Sequence, residues 1–112
     1  MANTFINRIS GSIGTSEQTV YTTPAATTTT VIGVSVSNRI QSNILVDVNL
    51  VVSGSGGTQN AYLCTGSLIP PGSNIILVGG EQKVVMREGD YLTLRSDTAG
   101  SADIIVSALE IS

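Results

Sequence analysis

Eight carboxylates, five basic side chains, three tyrosines and one thiol are the ionisable groups this sequence can offer to chemistry, and it has no histidine. Without His there is no Ser-His-Asp or Cys-His nucleophile and no imidazole metal ligand. One Cys allows neither an intrachain disulfide nor a cysteine-cluster zinc site. Cys64, set in Ala61-Tyr62-Leu63-Cys64-Thr65, reads as a small buried hydrophobe. Carboxylates remain. Asp90, Asp97 and Asp103 stand in neighbouring loop regions and could converge on Ca²⁺, which takes oxygen ligands. None lies in a dense acidic loop, so turn capping and surface solvation are the favoured roles. A sugar-cleaving acid pair needs a cleft with aromatic platforms, and the chain has no Trp and one Phe. Ser53-Gly54-Ser55-Gly56-Gly57 is glycine-rich but lacks the Lys-Ser/Thr ending of a phosphate loop, so it reads as a hairpin tip. The sequence predicts a protein that is not an enzyme and needs no cofactor or metal.

The remaining charges are sparse. Charged residues make up 12% of the 112 residues, about half the usual share, and the net charge is −3. Five scattered cations do not make a phosphate-binding face, so nucleic acid is not an expected partner. Lys83, Arg87 and Arg95 lie close in sequence and could meet an acidic partner surface. The plainer reading is a solvated strand edge, where Lys and Arg block edge-to-edge pairing.

The elements that would position these groups are strands. Val 12, Ile 12 and Thr 13 make up about a third of the chain, and their stiff side chains suit a pleated surface better than a helix. No window shows a sustained apolar repeat of helical period. Strands are predicted at 18–23, 27–37, 43–52, 59–65, 74–78, 83–86, 91–96 and 103–111. In the second, Ile32, Val34 and Val36 share a face; in the third, Ile44, Val46, Val48, Leu50 and Val52 do. Leu68-Ile69-Pro70-Pro71-Gly72-Ser73 reads as a crossover, because proline cannot donate to a ladder. In the last strand Ile105, Leu109 and Ile111 share one face, and Ile104, Val106 and Ala108 the other. A strand apolar on both faces is central in its sheet or covered by a neighbouring subunit.

The expectation is an all-β fold: a two-layer antiparallel β-sandwich of about eight strands, jelly-roll or immunoglobulin-like, with strand order open. Residues 18–112 form the single sandwich domain. Residues 1–17 form an extended N-terminal arm or edge strand carrying Phe5, Ile6, Arg8, Ile9 and Ile13 as contact candidates. The start shows no apolar run behind Arg8, so no signal peptide is expected, and the 43–52 stretch is too short and polar for a membrane span.

Several phrases resemble one group of proteins. They are Asn3-Thr4-Phe5; Ser12-Ile13-Gly14-Thr15-Ser16; Thr19-Val20-Tyr21-Thr22-Thr23-Pro24; and Thr30-Val31-Ile32-Gly33-Val34-Ser35-Val36-Ser37-Asn38. Two more are Gly80 to Met86 with Glu88-Gly89-Asp90, and Ser101-Ala102-Asp103 through Leu109-Glu110-Ile111. Together they look like small virion structural proteins of tailed bacteriophages, cyanophages among them. The likeness spans nearly the whole chain, is weakest over Val51 to Leu68, and carries no functional residue with it. It implies a non-enzymatic virion component made in a bacterial cytoplasm, whose partner is the major capsid protein or another virion protein. Within the virion the first expectation is a capsid decoration (cement) protein, as a homo-oligomer, trimer or dimer. A head–tail, tail, baseplate or fibre-associated subunit is the alternative. The expected interface is Phe5, Ile6, Arg8, Ile9, Ile13, Lys83, Arg87, Arg95, Ile105, Leu109 and Ile111. A host-surface carbohydrate-binding module is a further alternative, and it requires Tyr21, Tyr62 and Tyr91 to cluster in the open.

Overall fold

In a computed structural model the structure describes residues 3–54, 57–79 and 83–112. Nine strands run in the order β1 (Asn3–Ile13), β2 (Gln18–Thr22), β3 (Thr28–Asn38), β4 (Ile44–Gly54), β5 (Gly57–Ile69), β6 (Asn74–Val78), β7 (Val84–Met86), β8 (Tyr91–Ser96) and β9 (Ala102–Ile111). They form two packed antiparallel sheets. Sheet A has the order β1-β9-β3-β6, with β7 also paired to β3; sheet B has the order β2-β8-β4-β5. β6 and β7 share one side of β3, β6 along Val34–Ser37 and β7 along Thr29–Val31. The fold is thus a β-sandwich.

The strand order decides between the two expected topologies. The first strand pairs with the last, β2 with β8, β3 with β6 and β7, and β4 with β5. One long hairpin, rolled across two sheets, produces that nesting. It is the jelly-roll arrangement and not the immunoglobulin one.

Alternation places the core. Leu92 and Leu94 of β8, and Ile104, Val106 and Ala108 of β9, are buried between the sheets. They meet Val46 and Val48 of β4, with Val31, Val34 and Val36 of β3. The buried face of β3 departs from the strict alternation of the sequence. A register shift against β9 between Val31 and Gly33 gives the strand an extra residue, so Val31 replaces Ile32 on the core side. Pro70 and Pro71 do not end β5 early. The strand continues to fully buried Ile69, opposite Ile44, and the prolines begin the turn beyond it. There Ser73 N–H donates to Pro70 O (3.1 Å) and Gly72 has φ 72°, the positive φ of a type II turn. Arg87–Asp90 repeats the device with Gly89 at φ 87°.

The N-terminal segment is the edge strand of sheet A. β1 lies along β9 from Asn3↔Ile111 to Ser10↔Ile104 in unbroken register, and shifts before Ile13↔Ala102. Ile13, expected as a contact residue, is a fully buried core residue. Its side chain belongs to the same core cluster as Ala102 and Ile104, which anchors this edge strand to the sandwich. The consequence is measurable by denaturant unfolding. Ile13→Ala should cost about 2–5 kcal/mol, as buried large-to-small changes do. Ile76→Ala, on an exposed position of β6, should change stability by about 0.5 kcal/mol or less.

Candidate functional site

Since the even-numbered residues of β9 enter the core, its odd-numbered residues point outward. The ladder aligns them with outward residues of the other strands in transverse rows. One row runs Ile9, Ile105, Ser35, Ile76 across β1, β9, β3 and β6. Another runs Phe5, Leu109, Thr30, Val85 across β1, β9, β3 and β7. Between them stand Asn7, Ser107 and Gly33, and beyond the second row Asn3, Ile111 and Thr28. None of these residues is charged. Exposure is 75% for Phe5, 70% for Ile9 and Ile76, 62% for Val85 and 47% for Ile105. Leu109 and Ile111 are half-buried. Small residues on β3 keep the centre low while the apolar side chains stand at both sides. Exposed apolar side chains gathered on one face in this way make it the candidate interaction site.

Five of the residues expected at an interface, Phe5, Ile9, Ile105, Leu109 and Ile111, are brought together on this face. Ile76 and Val85 were missed. Both lie in short apolar strands whose outward phase is set only by the register with β3. The other expected residues are placed elsewhere. Ile6 and Arg8 point to the opposite side of β1: Ile6 packs half-buried against the core, and Arg8 Nη1 donates to the carbonyl of Asn7 (2.9 Å). Lys83, Arg87 and Arg95 do not form one patch. Lys83 precedes β7 at the side of sheet A, and Arg87 opens the β7–β8 turn. Arg95 lies outside sheet B, opposite Asp47, with Nε donating to Thr15 O (3.1 Å).

The three aspartates serve three separate places: Asp90 and Asp97 lie in turns, and Asp103 lies within β9. Asp90 Oδ2 accepts from Arg87 N–H, and Asp97 Oδ1 from Leu45 N–H. Asp103 Oδ1 accepts from Ser12 N–H and pairs with Arg39 at 3.2 Å. Among the described residues no group of three His, Cys, Asp or Glu gathers around a common point. An open hollow beside Asn38, Arg39, Ile40, Gln41, Pro71 and Gly72 offers one cation, and that cation is paired with Asp103. Cys64 is half-buried against the core, its Sγ 3.7 Å from Val46 O.

The tyrosines do not form a platform. Tyr62 and Tyr91 lie outside sheet B with β4 between them, and Tyr21 is only 4% exposed. Tyr21 Oη donates to Glu110 Oε2 (2.6 Å) and lies 2.8 Å from Thr29 Oγ1. It thereby ties β2 of sheet B to β9 and β3 of sheet A at one end of the sandwich. Burial, followed by the hydrogen bond to Glu110, pushes its phenol from 10.0 up to about 12.

No family model matches the chain, and no curated protein matches it. One solved structure similar to it is a Bacillus endospore appendage protein, from a group described as a novel family of disulfide-linked pili. The two share 8% identity and a TM-score of 0.51 over 99% of this chain and 87% of that one. At that identity the likeness is one of fold alone.

The folded phenol of Tyr21 holds its proton to higher pH than an unfolded one. The stability this tie supplies is therefore complete below pH 10 and is lost as pH rises from 10.0 towards about 12. Unfolding free energies measured across that window should fall for the natural protein and fall less for Tyr21→Phe.

Proposed function

We propose that this protein is a non-enzymatic structural subunit that docks through the outer face of sheet A on a larger protein assembly. Together with the sequence resemblance, this reading makes the assembly a bacteriophage particle and the role capsid decoration, with the major capsid protein as partner. The observation that carries the docking reading is the pair of uncharged apolar rows across β1, β9, β3, β6 and β7. Burying charges costs several kcal/mol per ion unless each is well paired, and these two rows have none to bury. The apolar centre of protein interfaces has the same character. A jelly roll also supplies a rigid platform, since every strand of one sheet is backed by the other.

The endospore appendage protein that shares the fold is itself described as part of an assembly, a pilus linked by disulfides. This sequence has one cysteine, which can join two copies at most, so a disulfide-linked chain is not open to it. Its contacts would be non-covalent.

Virions purified from the source culture, labelled with antibody against the folded protein, test the proposal. Label over the outer shell of the head is expected. Label confined to the tail or baseplate would move the protein to the alternative virion role, and its absence from purified particles would overturn the virion reading. Ile105→Asp places a charge at the centre of the face without touching the core. It should abolish binding to the particle while leaving the circular dichroism spectrum unchanged; undiminished binding would remove sheet A as the docking face.

A further inference from the structure

β1 pairs with β9 on one side, and no described strand lies on its other side. From Asn3 to Ser10 this open edge is regular: eight consecutive pairs without a shift, and no Pro, Gly or Lys among them. The carbonyl of Asn7 is met by the guanidinium of Arg8 and not by a strand. Natural edges are commonly blunted by proline, lysine, bulges or shortness. The other edges of this protein are blunted in those ways. β2 and β6 have 5 residues each and β7 has 3. β5 is longer, but two register shifts and Gly66, at φ 58°, interrupt it. Among the described strands at an edge, β1 has the longest unshifted run, eight pairs against six for Gly57–Tyr62 of β5.

The side chains on that edge are spaced to complement themselves. In an antiparallel pairing of two β1 strands centred on Asn7, Phe5 stands opposite the partner's Ile9, and Ile9 opposite the partner's Phe5. Thr4 meets the partner's Ser10, and Arg8 meets the partner's Ile6, so no like charges are directly opposed. The outward row Leu109–Phe5 then continues into the partner's Ile9 and Ile105, and the row Ile105–Ile9 into the partner's Phe5 and Leu109. Cross-strand aromatic and β-branched pairs of this type stabilise sheets. Centring the pair on Phe5 leaves Ile9 opposite position 1, and centring it on Ile9 sets Phe5 against Ile13, which is committed to the core. Asn7 is the centre that matches both apolar residues within the regular stretch.

We infer that two copies of this chain associate by β1–β1 pairing about a two-fold axis at Asn7, joining two five-stranded sheets into one. The occupant of the edge is a second copy because the spacing of Phe5 and Ile9 about Asn7 is symmetric, as an isologous interface requires. The dimer widens the apolar face of sheet A and does not depend on which assembly that face meets.

Sedimentation equilibrium of the full chain should give a dimer; a monomer at every concentration, or a trimer, overturns the inference. Register is read by cysteine cross-linking in a Cys64→Ser background. Asn7→Cys would stand opposite itself, at about 4.5–5.5 Å between Cα atoms, within disulfide reach. Asn3→Cys would stand about 27 Å from its counterpart, at about 3.4 Å per residue. Oxidation should cross-link the first and not the second; equal cross-linking of both, or of neither, overturns the register. Asn7→Asp opposes two carboxylates at the axis and should shift the mass to monomer with the circular dichroism spectrum retained. A dimer that survives this change contradicts pairing at Asn7. Loss of particle binding in Ile105→Asp would leave these results untouched, so the two proposals fail separately.

Discussion

Everything else in this fold depends on the antiparallel pairing of β9 with two strands at once. β9 lies between β1 and β3, and the ladder sets Asn3 against Ile111 near the two ends of the chain. Its inward residues Ile104, Val106 and Ala108 fill the core, and its outward residues Ile105, Leu109 and Ile111 build the candidate site. One strand thus fixes the phase of both faces of sheet A. The loop closed by this pairing is nearly the whole chain. The entropy of closing so long a loop must be met before the contacts form. Tyr21, joined to Glu110 of β9 and Thr29 of β3, locks sheet B onto that same pairing.

The strands were legible in the sequence because their apolar residues alternate. β8 and β9 show this well: Leu92 and Leu94 inward with Thr93 and Arg95 outward, and two apolar faces on β9. The phase of β3 was not legible, because the bulge between Val31 and Gly33 leaves no compositional mark and moves Ile32 off the core. The end of β5 was hidden by Pro70 and Pro71, which fall just past the last paired residue. Topology was open because a jelly roll and an immunoglobulin fold use the same alternation and differ only in which strands meet.

The candidate site was half legible for the same reason. Phe5, Ile9, Ile105, Leu109 and Ile111 could be picked out one strand at a time, but their meeting depends on the β1–β9 register. Ile76 and Val85 join them only through β3, a partner far away in sequence. Ile13 was assigned to the contact surface by its place in a polar segment. The bulge after Ser10 instead turns it inward, where it fills the end of the core. The three cations close in sequence were separated by the fold: β8 belongs to sheet B, which carries Arg95 to the far side from β7.

The two sheets use the scarce charges unequally. Asp47 and Arg95 face each other outside sheet B, and Glu17 accepts from Thr93 there at 2.9 Å. Turns take Asp90 and Asp97, and Asp103 holds the irregular end of β1 through Ser12. The two apolar rows outside sheet A receive none; the outward row of Asp103, Ser37 and Asn74 carries one, paired with Arg39. An exposed face of that kind, beside a regular open edge, favours self-association and aggregation in a free monomer. Charges at the positions of Phe5, Ile9 or Ile105 would have removed the hazard with little effect on the core, because side chains alternate between the two faces of a strand. Keeping Phe5, Ile9, Ile105, Ile76 and Val85 outward is therefore not a demand of the sandwich. These side chains make physical sense when the face and its edge are covered, and a low overall charge is the composition such coverage requires.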